Sequence, residues 1–187
     1  DPIDGTKNYI GGNEAFCSMI ALLHFGKVIA SWIFIPTSAI CYFADKYGVQ
    51  VRYPESLYQP VETSKTHIKH IWVYDLSFSA SLKHLSFELK EKFKRKLNVI
   101  KKRVFIGSVG IEATLLANAK IDFLFYSATS PWDHAPVDMF SRASGGKTGQ
   151  VNLANKTSID LDLSKKSPIL FVRSLDLWDE VTKIILR

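Results

Sequence analysis

The chain opens on Asp1-Pro2-Ile3-Asp4-Gly5-Thr6, which places two carboxylates three positions apart on a segment stiffened by proline. Pro2 fixes its own φ and removes a backbone donor, which favours a rigid, non-helical turn. Two carboxylates can face one point on such a turn if something positive sits there. Hard divalent cations such as Mg²⁺ take oxygen ligands, and the stretch supplies carboxylates, the Ile3 carbonyl and the Thr6 hydroxyl. Gly5 allows close approach. The run from Thr6 predicts a short helix whose free N–H groups favour an anion such as phosphate. An inert Asp-Pro turn followed by glycine explains the same six residues equally simply.

A third carboxylate lies far along the chain, in Ser130-Pro131-Trp132-Asp133-His134-Ala135-Pro136. Asp133 follows a predicted strand at 121–126 and begins a predicted helix at 133–144. Ligands gather at the carboxyl ends of strands in α/β sheets, which favours a metal or substrate role. Capping of the helix by Asp133 is the competing role.

The elements that must position these groups have two textures. Through about residue 75 the chain reads as antiparallel strands, at 16–25, 27–36 and 38–46, divided by Gly26 and Pro36-Thr37. A polar connection spans 53–69, and a strand at 70–77 follows. From 76 onward strands and helices alternate. Helices are predicted at 79–95, 108–119, 133–144 and 174–186, the last capped by Ser174, and strands at 98–106, 121–126 and 168–173. This alternation predicts a mixed, mainly parallel sheet covered by helices. The fold class is therefore layered α/β: residues 1–75 form an antiparallel-sheet half and 76–187 an α/β half of one incomplete domain.

The chain has 187 residues, 47% hydrophobic and 22% charged, which describes a globular protein with a real core. Its apolar runs are too short to span a bilayer. The net charge of +6 comes largely from 90–103, where Leu82, Leu85, Leu89 and Phe93 share one helical face and the lysines the other. No aromatic interleaving or reader motif supports specific nucleic-acid binding. Cys17 and Cys41 fit no metal or redox spacing and read as buried, reduced thiols of a cytoplasmic protein.

Asp1-Pro2-Ile3-Asp4-Gly5-Thr6, taken with Trp132-Asp133-His134-Ala135-Pro136, resembles the paired signature of the inositol monophosphatase family of Mg²⁺-dependent, lithium-sensitive phosphomonoesterases. The segment at 107–113 is similar to the family's Gly-Ser stretch opening a helix, and Gly145-Gly146 to its stop after the helix of Asp133. The resemblance covers essentially the whole chain. It implies the layered αβαβα sandwich of the sugar phosphatases. It also implies carboxylate metal ligands at Asp1, Asp4 and Asp133, a carbonyl ligand at Ile3, and about two or three Mg²⁺ ions. Thr6, with Asp4, would orient the attacking water, and Gly5-Thr6 would hold phosphate oxygens. Ser108, Gly110, Glu112, Tyr126 and Asp133 would face the substrate. The implied reaction is hydrolysis of a small-molecule phosphate monoester by direct water attack. One metal would lower the pKa of the water and another would stabilise the leaving oxygen. A homodimer is implied by the same resemblance.

Three departures from the family pattern stand out. The family's metal-binding glutamate upstream of the first motif has no counterpart, and no methionine precedes Asp1. The expectation is the C-terminal part of a longer protein, a poor catalyst by itself. Val137 stands where family members often carry glycine. Tyr126 replaces an acidic residue that contacts substrate hydroxyls, and Glu112 replaces a small residue. Inositol monophosphate, a sugar or histidinol phosphate, and a 3′-phosphorylated nucleotide all remain candidate substrates. A weakened member serving as a binding or regulatory module, with the basic helix face as its partner surface, is the alternative function.

Other motifs are weaker. Gly145-Gly146-Lys147-Thr148 resembles the end of a P-loop, but Ser141 replaces its first glycine, and a helix C-terminus explains it better. His67 and His70 read as loop histidines. His134 should point away from Asp133, and Trp132 should pack in the core and orient it. Lys7 adds positive potential near the phosphate position or is a plain surface lysine.

Overall fold

The computed structural model describes residues 1–61, 76–100 and 102–186. His67, His70 and most of the predicted strand at 70–77 lie outside them.

Alternating apolar residues and short turns build the first sheet. Its strands are β1 (Ser18–His24), β2 (Lys27–Ile35), β3 (Ile40–Asp45), β4 (Gly48–Arg52) and β5 (Gln59–Pro60), paired antiparallel in chain order. Phe25 and Gly26 both take positive φ between β1 and β2, the geometry that matches the twist of a tight hairpin. Met19, Ile33, Ala44 and Val49 turn inward. Ile20 and Leu22, one and three positions past Met19 on β1, stay exposed.

The second sheet has order β10-β9-β11-β8-β6-β7. Its strands are β6 (Ser77–Ser81), β7 (Lys102–Arg103), β8 (Phe123–Thr129), β9 (Lys147–Asn152), β10 (Thr157–Ile159) and β11 (Ser167–Val172). The mixed character is as expected, but the parallel pairs are confined to β7-β6-β8. The other three pairs are antiparallel, because β11 returns between β8 and β9. The sheet is thus less parallel than the alternation of elements implied.

Helices α3 (Val109–Ala117) and α4 (Pro131–Ala143) lie between the sheets, while α2 (Phe87–Leu97) and α5 (Leu175–Leu186) cover the far face of the second. The two-residue period of β8 shows the layering: Leu124 and Tyr126 join the core between the sheets, and Phe123 and Phe125 join the core under α2 and α5. Among the described residues, no helix is long and apolar enough to cross a membrane.

Several local expectations are corrected. The helix predicted from 79 begins at Phe87, after Ser86, whose hydroxyl accepts from the Leu89 N–H at 3.4 Å. Residues 77–81 instead form β6, buried among neighbouring strands. The strand predicted at 98–106 narrows to the two residues of β7. Trp132 is 60% exposed, because the first turn of α4 directs it outward rather than into the core. Ser174 precedes α5, but its buried hydroxyl finds no hydrogen-bond partner and caps nothing. Both cysteines are buried and free, as expected.

Asp122 ties three strands together. Its Oδ2 accepts from the Ser77 N–H at 2.6 Å and the Ser77 hydroxyl at 2.8 Å, and its Oδ1 from Arg173 Nε at 2.6 Å. Asp122→Asn should therefore lower stability by about 2 kcal/mol, since hydrogen bonds to a charged group are the stronger kind. The check is a lower urea midpoint at unchanged slope.

Candidate active site

The opening segment runs antiparallel beside the start of β1. Met19 N–H donates to the Asp1 carbonyl at 2.8 Å, and Asp4 and Cys17 exchange backbone hydrogen bonds of 2.8 and 3.0 Å. Asp1 Oδ1 accepts from the Ile3 N–H at 3.0 Å, which folds the Pro2 turn back on itself. Gly5 has φ 80°, and a Cβ there would lie 2.9 Å from the Ala15 carbonyl and 3.1 Å from Ser108 Cβ. Conformation and space therefore both demand glycine. Helix α1 (Thr6–Ile10) follows, and the Thr6 hydroxyl donates to the Ile3 carbonyl at 2.9 Å.

Asp133 reaches the same place from the other end of the chain, on the first turn of α4 after β8. One carboxylate oxygen from each of Asp1, Asp4 and Asp133 lies within 4.8 Å of the others. The two accounts of Asp133 combine, because its Oδ2 also accepts from the Ser130 N–H at 3.0 Å. Its carboxyl is held above the usual carboxylate range, first by burial and further by the charge of Asp4, against the opposing pull of the Ser130 N–H. Three carboxylates this close repel one another unless a cation lies between them. A cluster of hard oxygen donors fits Mg²⁺.

Asp4 is the most fixed of the three. Its Oδ2 accepts from the Ser108 hydroxyl at 2.6 Å, the Gly110 N–H at 2.8 Å and Cys17 Sγ at 3.6 Å. Burial, reinforced by the Asp4 charge, pushes the Cys17 thiol up to about 12, so it remains a donor. Ser108 and Gly110 therefore face Asp4 rather than outward; Ser108 is fully buried. Gly110 also lets α3 press against β1, since a Cβ there would lie 2.4 Å from Cys17 Sγ.

Glu112 and Tyr126 do not reach the surface as substrate contacts would. They are 1% and 3% exposed, and the Tyr126 hydroxyl donates to Glu112 Oε2. Burial, with the neighbouring Glu112 charge, raises the Tyr126 phenol well above its ordinary value. Val137 is fully buried in the core between the sheets. His134 is fully buried, with Nδ1 3.0 Å from the Thr129 hydroxyl, and burial lowers its pKa. It packs beside Asp133 without joining the carboxylates. Lys7 is exposed on α1.

Sequence reasoning missed Asn8 and Cys17. The Asn8 side-chain amide donates to Ala15 O at 2.7 Å and Ile106 O at 3.0 Å, joining the first motif to the loop before Ser108. An asparagine in the first turn after the motif was the only local signal, and its partner lies too far along the chain to be guessed.

Residues 1–170 match the model of the inositol monophosphatase family. The chain belongs to that family. It is 26% identical over 150 residues to an inositol monophosphatase of Dictyostelium discoideum, covering 78% of this chain and 53% of that protein. It is also 26% identical over 147 residues to a histidinol-phosphatase of Mycobacterium tuberculosis, covering 79% of this chain and 56% of that one. The chain thus spans about half the length of these relatives. Among solved structures, a Ca-bound inositol monophosphatase family protein from Staphylococcus aureus superposes with a TM-score of 0.77 at 19% identity, covering 98% of this chain and 66% of that one. An inositol monophosphatase/NADP phosphatase complexed with Mg²⁺ and phosphate gives 0.77 at 19% identity, with coverage of 98% and 64%. These structures share the layered fold.

Proposed function

We propose that the whole protein hydrolyses a phosphate monoester of a small metabolite, using Mg²⁺ held by Asp1, Asp4, Asp133 and the Ile3 carbonyl. The observation that carries the reading is the convergence of the three carboxylates within 4.8 Å. When bound, about two or three Mg²⁺ ions would lower the pKa of water and stabilise charge on the leaving oxygen. The chain's own residues do the positioning. The Thr6 hydroxyl donates to Ile3 O, so its lone pairs are left to accept from a water and aim it. The backbone at Gly5-Thr6 holds phosphate oxygens. Asp4 keeps one oxygen for the cation because its other oxygen is engaged by Ser108 and Gly110.

A homodimer, implied by the family resemblance, and a cytoplasmic location, read from the two free buried cysteines, complete the reading. The names of relatives favour inositol phosphate or histidinol phosphate as the substrate. The test is phosphate release by the whole protein over inositol, sugar, histidinol and nucleotide phosphates, with and without Mg²⁺. Release that needs Mg²⁺ and is lost in Asp133→Asn is expected. Equal release by that variant, or none from any substrate, would sink the proposal.

A further inference from the structure

The loop Val104–Gly107 between β7 and α3 carries Ser108 to Asp4, and Glu112 holds it from within. Glu112 Oε1 accepts from two successive backbone groups, the Ile106 N–H at 2.8 Å and the Gly107 N–H at 3.2 Å. Its Oε2 takes the Tyr126 hydroxyl. The carboxylate is therefore satisfied on both oxygens while almost fully buried. Ile106 is gripped from both sides, since its carbonyl accepts from the Asn8 amide at 3.0 Å. Gly107 adopts φ 82°, so the loop turns sharply into the Ser108 cap of α3.

We infer that Glu112 and Tyr126 are a positioning pair: an acid–phenol clamp between α3 and β8 that fixes the Ile106–Ser108 backbone and, through Ser108, the orientation of Asp4. The path is continuous: Tyr126 hydroxyl, Glu112, the Ile106 and Gly107 N–H groups, then Ser108 Oγ to Asp4 Oδ2 at 2.6 Å. Without the clamp, two successive backbone donors lose their charged acceptor, and the loop shifts as they turn to water instead. Asp4 then loses its fixed hydroxyl partner. Groups behind a metal ligand typically change metal affinity by about 10–100-fold when removed. The role thus bears on cation binding rather than on recognition of the leaving group, and it deepens the phosphatase reading on which it rests.

The test is made on the whole protein with Mn²⁺ as probe, following the free-ion electron spin resonance signal during titration. Glu112→Ala is expected to weaken Mn²⁺ binding by about tenfold. At saturating metal, its KM for the best substrate should be unchanged. Glu112→Gln should recover nearly all the affinity, because its amide oxygen can accept both backbone N–H groups and its NH₂ can donate to Tyr126. Tyr126→Phe keeps the ring in place and should weaken Mn²⁺ binding by a smaller factor; it serves as the second variant if Glu112→Ala does not fold. Unaltered Mn²⁺ affinity in Tyr126→Phe or in folded Glu112→Ala overturns the inference. So does a raised substrate KM with metal binding intact, which would mark a substrate contact. If the unsubstituted protein binds no Mn²⁺, the phosphatase reading fails as well, and this inference with it.

Discussion

Asp4→Asn in the whole protein is expected to abolish Mg²⁺-dependent phosphate release, with a loss of at least about 1000-fold, or roughly 4 kcal/mol in the barrier. The size follows from where the amide must point. Two strong donors, the Ser108 hydroxyl at 2.6 Å and the Gly110 N–H at 2.8 Å, converge on Oδ2. An asparagine must offer its oxygen there, because turning its NH₂ toward two buried donors would leave all three unpaired. The NH₂ then faces Asp1 and Asp133 and presents hydrogens where a cation would sit. Asparagine elsewhere can sometimes act as a neutral oxygen ligand; here its environment forbids it. Circular dichroism should show the fold intact, while Mn²⁺ binding and phosphate release fall together. A folded variant that keeps more than about a tenth of its activity would contradict this account of Asp4.

The same residue shows what the sequence made legible. Asp1, Asp4 and Asp133 stood out because the first two share a stiff turn and the third follows a strand; local chemistry marked all three. The strands β1 to β3 were legible for a similar reason, since their apolar alternation is broken only by turn residues. The partners of these groups were not legible. Glu112 and Tyr126 are unusual types at their positions, and the family resemblance implies substrate contact for both. The structure spends both on each other, because α3 and β8 are neighbours only after folding. Strand β6 was hidden by its composition: Ser-Phe-Ser-Ala-Ser is small and polar, yet four of its five residues are buried inside the sheet. Its Ser77 is tolerated there because Asp122 receives its hydroxyl. Strands β9 and β10 lie in a glycine-, lysine- and asparagine-rich stretch that reads as loop, and the pairing of β9 with β11 and of β10 with β9 decides otherwise. Local propensity is a weak prior wherever a buried neighbour sets the outcome.

Gly146→Ala should be the most destabilising of the small substitutions, costing at least about 3 kcal/mol. A Cβ on Gly146 would lie 1.8 Å from the Val172 carbonyl oxygen, and 2.9 Å from both Arg173 C and Ser141 O. All three are backbone atoms. The Val172 carbonyl is held further by the Ser141 hydroxyl at 2.9 Å, and Arg173 N–H is tied to Asp122 O at 3.1 Å, so neither yields without disturbing the sheet. Gly110 makes the informative contrast. Its added Cβ would meet Cys17 Sγ at 2.4 Å and Met19 Sδ at 2.6 Å, which are side-chain atoms, and methionine repacks readily. Relief at Gly110 comes from a small outward shift of α3, which stretches the 2.8 Å bond from Gly110 N–H to Asp4. Thermal melts should therefore place Gly146→Ala at least about 6 °C below the parent protein. Gly110→Ala should melt closer to the parent and lose the larger share of metal-dependent activity. The reverse ranking would mean that α3 does not transmit its position to Asp4.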